Sequence, residues 1–346
     1  MKHRDLIVVG ASAGGIEALQ RLVSALPAKL EAAVLVVLHL SGRSGGMLPQ
    51  ILARAGRLRA SHPADGERME RGHIYVAPAD FHMLVEDGRL RVLQGPRENL
   101  HRPAIDPLFR SAAVAAGRRV IGVVLTGMLD DGTSGLMVVK AHGGATIVQD
   151  PETAMFSAMP KSALEQVPEA TVLPLEAIAE ELVRLVGEDL PAEASSGAAR
   201  ETTEEKETKL LEREMPQIEN GDRPGEPSVF ACPDCGGVLW EMDEGGFLRF
   251  RCRVGHAFTA NHLGTEQRHA VETALWSALR ALEESASLYH RLAKRAAPGR
   301  EITASRFLER AENTEQNARV LREYLVAVNQ GEYQEEASQG IEEAGN

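Results

Sequence analysis

The strongest constraint on the fold is the alternation of short β-branched runs with longer helical patterns over residues 1 to about 186. Several runs are apolar throughout, such as residues 32–38, which is typical of parallel strands covered on both faces. Residues 74–93 differ, because Asp87-Gly88 is a turn signal between two short runs and predicts a hairpin. We therefore predict an α/β fold with a doubly wound, mainly parallel sheet and an antiparallel excursion.

The predicted elements of this region follow one another closely. Strands are expected at residues 6–9, 33–38, 73–77, 83–86, 90–93, 120–125, 146–149 and 171–174. Helices are expected to follow Gly14, Ser44, Ile105, Thr133, Pro160 and Leu175. Doubly wound sheets build their sites beyond the carboxyl ends of the strands, so polar residues just after these runs are the candidate functional residues.

Composition divides the rest of the chain into four segments. Residues 187–228 carry twelve acidic and five basic residues and few large apolar ones, which predicts a flexible acidic linker. Residues 229–262 contain all three cysteines, residues 263–329 form a predicted α-helical hairpin, and residues 330–346 form an acidic tail that looks disordered. Linker and tail account for the whole net charge of −12, so the folded parts are neutral.

The hairpin prediction rests on two apolar stripes at helical spacing, separated by the helix-breaking pair Pro298-Gly299. The first stripe is Val271, Leu275, Leu279, Leu282, Tyr289 and Leu292, and the second is Leu308, Ala311, Ala318, Leu321, Leu325 and Val328. We expect these faces to pack on each other or on a partner.

The sequence also argues against several environments. It has no apolar run of the length that crosses a membrane, and its first residues enter a strand directly instead of forming a signal peptide. Three cysteines do not support a disulfide scaffold. We therefore expect no membrane insertion and a cytoplasmic location.

A Gly-Ala-Ser-Ala-Gly-Gly turn at residues 10–15 follows the first predicted strand. The small residues around Ser12 permit a tight strand-to-helix bend that presents the hydroxyl at the sheet edge, with the amide of Ala13 near a helix N-terminus. The alternative is a glycine-rich turn that binds phosphate or merely connects two elements. A dinucleotide site is disfavoured, because G-x-G-x-x-G needs glycine at the serine position.

Two further strand ends supply the partners that a serine nucleophile needs. His39 follows the second strand, and Asp130 and Asp131 follow the strand at 120–125. One aspartate can orient the imidazole and stabilise its cation. The alternative is that Asp130, Asp131 or Thr133 caps the next helix. Serine, histidine and aspartate at three strand ends form a more specific pattern than any one of them alone.

Over residues 5 to about 186 the chain resembles the chemotaxis protein-glutamate methylesterases, the CheB family. The resemblance is carried by the blocks V-V-G-A-S-A-G-G-I-E-A-L, V-L-H-L, A-D-G-E-R, G-H-I-Y-V-A-P-A-D-F-H-M, H-R-P-A-I-D-P-L-F and V-V-L-T-G-M-L-D-D-G-T-S-G. It implies hydrolysis of glutamate γ-methyl esters on methyl-accepting chemoreceptors, and deamidation of receptor glutamines, without a cofactor.

The resemblance also implies roles for individual residues. Ser12 is the implied nucleophile, His39 the general base and acid, and Asp131 the orienting carboxylate, because it precedes a glycine as the family aspartate does. The implied oxyanion donors are the backbone amides of Ala13 and Met128.

Three more residues are implied to shape the substrate groove, namely His101, Arg102 and Met159. The alternatives are a solvated turn at residues 101–103 and a helix that starts at Pro160. The receiver domain that precedes the catalytic domain in the common family member has no counterpart before the first strand. Regulation by aspartyl phosphorylation within this chain is therefore not expected.

The cysteine segment has the spacing of a metal site. Cys232 and Cys235 form C-x2-C, and after sixteen residues Cys252 and His256 form C-x3-H. This pattern is typical of a closed tetrahedral zinc site, with His262 as the weaker alternative fourth ligand. Three ordinary reduced thiols are the alternative. So short a segment has too little core to fold without metal, which predicts a structural zinc in a zinc-ribbon-like module. We expect the hydrolase to fold separately and to stay intact when the metal is lost.

Zinc ribbons often bind nucleic acid, but the charges of this segment oppose one another and create no positive field. The acidic residues are Asp234, Glu241, Asp243 and Glu244, and the basic ones are Arg249, Arg251 and Arg253. We therefore expect protein docking, with the hairpin binding receptor helices, a methyltransferase or a second copy. Two alternative functions stay open: a serine esterase of the same fold acting on another substrate, and a non-catalytic signalling scaffold.

Overall fold

The computed structural model describes residues 2–39, 46–190, 225–244, 246–296 and 300–344. Most of the predicted linker, the start expected for a helix after Ser44, and the pair Pro298-Gly299 fall outside these ranges. The chain divides into two compact units, Met1–Leu263 and Gly264–Asn346. No helix in the described ranges is both long and apolar enough to cross a membrane.

Strands and helices alternate over residues 2–190 as predicted, apart from a run of consecutive strands at residues 59–93. The strands are β1 (Lys2–His3), β2 (Leu6–Ala11), β3 (Ala33–Leu38), β4 (Arg59–Ser61), β5 (Glu67–Arg68), β6 (His73–Val76), β7 (His82–Glu86), β8 (Arg89–Leu93), β9 (Val120–Val124), β10 (Ala145–Gln149), β11 (Thr171–Leu173), β12 (Asp189–Leu190), β13 (Glu226–Ala231), β14 (Val238–Glu244), β15 (Phe247–Cys252) and β16 (Ala257–Thr259). The helices are α1 (Gly15–Ala25), α2 (Leu48–Ala55), α3 (Ile105–Ala116), α4 (Thr133–Ala141), α5 (Ala158–Gln166), α6 (Leu175–Val186), α7 (Ala260–Arg295) and α8 (Glu301–Ala344).

The central sheet has seven parallel strands in the order β11-β10-β9-β2-β3-β6-β4. The chain first builds outward from β2 on one side, and then returns to place β9, β10 and β11 on the other. The topological switch point therefore lies between β2 and β9, where a doubly wound sheet opens a crevice at its carboxyl edge. The predicted α/β fold class is confirmed.

Helices cover both faces of this sheet, which explains why β2 and β3 are apolar throughout. Ile7 and Val9 point into a core formed with α1, α2 and α6. Leu6 and Val8 point into a second core formed with α3, α4, α5 and the β7–β8 hairpin. Successive side chains of a strand alternate between faces, so each strand contributes to both cores.

The antiparallel excursion is a small sheet in the order β5-β8-β7. Asp87 and Gly88 both have positive φ, 46° and 74°, which matches the primed turn expected of a tight hairpin. Two details differ from the prediction. The edge strand β4 has the sequence Arg-Ala-Ser, which carries no strand pattern, and α5 begins at Ala158, two residues before Pro160.

The cysteine segment forms a four-stranded antiparallel sheet in the order β13-β14-β15-β16, with β14 and β15 as its central hairpin. We call residues 226–262 the cysteine module. The cysteine module and the hydrolase belong to one compact unit, Met1–Leu263, and separate folding of the hydrolase stays a prediction. Arg249 and Arg251, counted above in the charge balance of this segment, are each 1% exposed. Their spacing of two residues puts both on the same face of β15.

The second unit is the helical hairpin. Leu279, Ala318 and Leu325 form its buried centre, and ion pairs join Glu283 to Arg322 and His290 to Glu315. These pairs run in opposite directions along α7 and α8, so the helices are antiparallel. Helix α8 continues to Ala344, through most of the segment expected to be a disordered tail, because glutamate, glutamine and alanine favour helix. The outer stripe positions Val271, Leu292 and Leu308 are exposed.

Candidate active site and metal centre

Three neighbouring parallel strands deliver the predicted serine, histidine and aspartate to one edge of the sheet. Ser12 follows β2, His39 follows β3, and Asp131 lies in the loop after β9. Gly14 has φ 71°, a left-handed conformation that lets the chain bend directly from Ser12 into α1. The bend is fixed on its other side, because the Ser12 amide donates to the Thr126 carbonyl at 3.0 Å.

A continuous hydrogen-bond chain joins these three side chains. His39 Nδ1 lies 3.2 Å from Ser12 Oγ, and His39 Nε2 lies 2.7 Å from Asp131 Oδ2. Because the Asp131 carboxylate can only accept, Nε2 carries the proton and the Nδ1 lone pair faces the Ser12 hydroxyl. The imidazole is therefore in the tautomer that can accept the serine proton.

Asp131 is buried but receives several donors. The amide of Ile105 donates to its Oδ2 at 2.7 Å, and the Asn99 side chain donates to its Oδ1 at 2.8 Å. Burial alone would raise the pKa of Asp131. The hydrogen bond and charge of His39, with the bonds from Ile105 and Asn99, outweigh burial and hold that pKa well below its usual range. The carboxylate therefore stays ionised beside the imidazole.

Two supporting residues were not predicted from the sequence, Asn99 and Asp106. Asn99 donates to both Asp131 and Asp106, and Asp106 accepts from the amides of Gly132 and Gly135 at 3.1 and 2.6 Å. Burial, followed by the charge of Asp131, raises the pKa of Asp106. The start of a helix at Asp106-Pro107 was a usable signal for the second residue. No spacing in the sequence indicates Asn99.

The loop after β9 also lies against the serine. A Cβ on Gly127 would lie 2.9 Å from Ser12 Cβ and 2.6 Å from Met159 Sδ, so this close approach requires glycine. Among the described residues, the amides of Ala13 and Met128 have no intramolecular acceptor, which leaves them available to a ligand. Met159 is fully buried beneath this loop, so it supports the loop and does not line a groove.

The other two predicted groove residues have different positions. His101 stacks on His39, with ring centroids 3.6 Å apart and planes inclined by 14°. Burial, followed by the charge of His39, lowers the pKa of His101 to about 3, so its ring is neutral. Arg102 is held by Asp80, at 2.6 Å, and by the carbonyl of Gly95, at 2.7 Å, so it fixes the loop, and its contact with substrate stays a prediction.

The two adjacent aspartates take separate roles. Asp131 faces His39, whereas Asp130 accepts from Thr259 Oγ1 at 2.7 Å and lies 2.7 Å from His262 Nδ1. His262, the alternative metal ligand, is therefore bound to a carboxylate and lies outside the cysteine cluster. The Asp130 carbonyl accepts from the amide of Thr133 at 3.1 Å, at the start of α4.

Four predicted ligands come together in the cysteine module. One donor atom from each of Cys232, Cys235, Cys252 and His256 lies within 4.8 Å of the others. Cys235 Sγ is 3.7 Å from Cys252 Sγ, and Cys252 Sγ is 3.5 Å from His256 Nδ1. A tetrahedron with zinc–sulfur bonds of about 2.3 Å has edges of about 3.7 Å. This Cys3His group can hold a metal ion.

Comparisons with known proteins identify relatives of the first unit. The sequence profile of the family described as CheB methylesterase matches residues 7–182. A relative from Leptospira interrogans, whose name refers to methylesterase and glutaminase activities, is 39% identical over 182 residues, 52% of this chain and 94% of that protein. The protein-glutamate methylesterase/protein-glutamine glutaminase of Chromohalobacter salexigens is 39% identical over 168 residues, 47% of each chain.

The similarity extends to a solved structure. The crystal structure of the Thermotoga maritima CheB methylesterase catalytic domain superposes with a TM-score of 0.51 and is 34% identical. The superposition covers 54% of this chain and 100% of the Thermotoga maritima chain.

Proposed function

The chain belongs to the CheB methylesterase family, and we propose that it hydrolyses glutamate γ-methyl esters on methyl-accepting chemoreceptors and deamidates glutamines at such sites. The observation that carries the proposal is the hydrogen-bond chain from Ser12 through His39 to the buried carboxylate of Asp131. Such a chain is what a serine nucleophile requires, because the hydroxyl is weak without a base in contact.

The reaction proceeds through an acyl-enzyme. Ser12 Oγ attacks the ester carbonyl carbon while His39 Nδ1 takes the hydroxyl proton, and the resulting imidazolium is stabilised by Asp131 through Nε2–H. The tetrahedral intermediate collapses, and methanol leaves with the proton from Nδ1. For a glutamine side chain the leaving group is ammonia. Water, deprotonated by His39, then cleaves the acyl-enzyme and releases the glutamate carboxylate and Ser12.

The oxyanion of each intermediate is assigned to the amides of Ala13 and Met128. Their lack of acceptors in the described part of the chain supports this role, since an oxyanion hole needs donors that are not already satisfied. Exposed apolar side chains lie nearby: Met128 is 52% exposed, and Met155, next to Gly14, is 61% exposed. These methionines suit contact with the surface of a receptor helix.

The test uses receptor membranes carrying labelled methyl groups. Wild type should release labelled methanol and Ser12→Ala should not, while Ser24→Ala, on the exposed face of α1, serves as the matched control. If release from receptors is absent but Ser12 is needed for hydrolysis of an aryl ester, the substrate is a different ester. Inactivity on both would favour the scaffold alternative.

The Cys3His group is proposed to bind one structural zinc ion. The donor separations fit tetrahedral coordination, and four protein ligands leave no position for substrate. When bound, the metal would cross-link the strands of the module, and it takes no part in the ester chemistry. Metal analysis should find one zinc per chain in wild type and in His269→Asn, an exposed histidine, and none in His256→Asn.

A further inference from the structure

The turn at residues 98–101 lies within the hydrolase segment of the sequence but contacts the cysteine module. We infer that the module is a structural part of the esterase site, because it holds this turn and the turn holds Asp131 and His39. The inference rests on the proposed function, since it assigns positioning residues to that reaction.

Backbone pairing attaches the turn to the edge strand of the module. Ala257 forms a parallel bridge with Glu98, its carbonyl accepts from the Asn99 amide at 2.8 Å, and its amide donates to the Arg97 carbonyl at 3.2 Å. The Thr259 amide donates to Asn99 Oδ1 at 3.1 Å. With its oxygen held by the module, the Asn99 amide group directs its nitrogen at Asp131.

The conformation of the turn itself needs support. Asn99 and Leu100 have φ values of 50° and 68°, the left-handed region that favours glycine at the second position of such a turn. A leucine there is unfavourable unless another contact offsets the cost. Leu100 packs against the apolar cluster of the module, which includes Phe250 and Phe258. The module thus stabilises a backbone shape that the leucine disfavours.

A buried ion pair joins the same two parts. Glu98 is fully buried, and its carboxylate accepts from Arg110 of α3 at 2.8 Å and from Arg251 of β15 at 2.7 Å. A buried carboxylate requires cationic partners, and removal of one leaves an uncompensated charge. Arg110 belongs to the hydrolase and Arg251 to the cysteine module.

A second route leads to the imidazole. Asp130, the residue before the triad carboxylate, is bound by Thr259, Asn261 and His262 of the module. The His262 and His101 rings form a T-shaped contact with centroids 6.3 Å apart, and His101 stacks on His39. Asp131 and His39 are therefore each linked to residues 257–262 through one intervening side chain, Asn99 for the carboxylate and His101 for the imidazole.

The test substitutes Thr259 in the full chain. Thr259→Val removes the hydroxyl bond to Asp130 with almost no change of shape, and Thr259→Ser retains it. With an aryl ester as substrate, we expect kcat to fall about tenfold in Thr259→Val with KM within about twofold, because small displacements of catalytic groups are costly. Thr259→Ser should recover most of the loss. The control is Thr171→Val, on the exposed edge strand β11.

A spectroscopic measurement separates this inference from the proposed function. The proton on His39 Nε2, bound to a carboxylate at 2.7 Å, should give a low-field NMR resonance that needs no turnover. We expect that resonance to broaden or shift in Thr259→Val and in Asn261→Ala, an exposed substitution that serves if the valine variant unfolds. Unchanged kcat and an unchanged resonance in a folded variant would overturn the inference. If the wild type lacks esterase activity, the resonance still decides it.

Discussion

Replacing Asp131 by asparagine tests the tautomer on which the proposed chemistry depends. The carboxylate accepts two donors on Oδ2, His39 and the Ile105 amide, and three on Oδ1. An asparagine keeps the larger number of bonds when its carbonyl takes the Oδ1 position, so its NH2 group faces His39 Nε2. The imidazole must then carry its proton on Nδ1, where it points at Ser12 and cannot accept.

The expected loss follows from this exchange of protons. A wrong tautomer in an otherwise intact triad lowers kcat by about 10³- to 10⁴-fold, which is about 4–5.5 kcal/mol of transition-state stabilisation. The Ile105 amide also loses its acceptor, at a cost of about 1–3 kcal/mol in unfolding free energy. Methanol release and urea unfolding measure the two quantities, with Asp65→Asn, a half-exposed carboxylate on Arg91, as control. A folded variant that loses less than tenfold in kcat would refute this reasoning.

Three further predictions concern the surroundings of the triad. Gly127→Ala should lower kcat about 10- to 100-fold and the unfolding free energy by about 1–3 kcal/mol, because its Cβ would press on Ser12 and Met159. A kcat equal to that of wild type in stopped-flow assays would contradict this close approach. Between pH 7 and 5, His101 in the unfolded state gains a proton that the folded state, with a pKa of about 3, does not bind. The free energy of unfolding of wild type should therefore fall by up to about 2 kcal/mol relative to that of His101→Asn. A difference that stays constant in parallel urea titrations at the two pH values would refute this. Cys235→Ser should lower the unfolding temperature and turnover together, and full turnover after complete zinc loss would instead favour a module that folds apart.

The sequence predicted the sheet and the positions of the three triad residues because both depend on local signals. Apolar runs define parallel strands, and the carboxyl ends of such strands meet at one edge, so Ser12, His39 and Asp131 were expected to lie together. The distances between their side chains became known only from the structure. Edge strand β4 escaped prediction because an edge needs no apolar pattern, and its partner β6 supplies the pairing.

The contact between hydrolase and module could not be predicted in the same way. Arg249 and Arg251 alternate with apolar residues, which is equally typical of a solvated strand face, and nothing near them in sequence indicates Glu98 as their partner. In the sequence Asn99 looks like an ordinary turn residue, because the residue that binds its side chain, Thr259, lies 160 positions later. Contacts of this kind depend on tertiary packing between distant segments, for which a single sequence carries no periodicity.

The distance along the chain between the turn at residues 98–101 and its support at residues 257–259 has a consequence during translation. A nascent chain that has emerged as far as the last helix of the hydrolase already carries Ser12, His39 and Asp131. It still lacks strand β16, in which Thr259 binds both Asn99 and Asp130. By the inference above, the site is complete only once residues 257–262 have been synthesised, so we expect no esterase activity from a chain that ends before them.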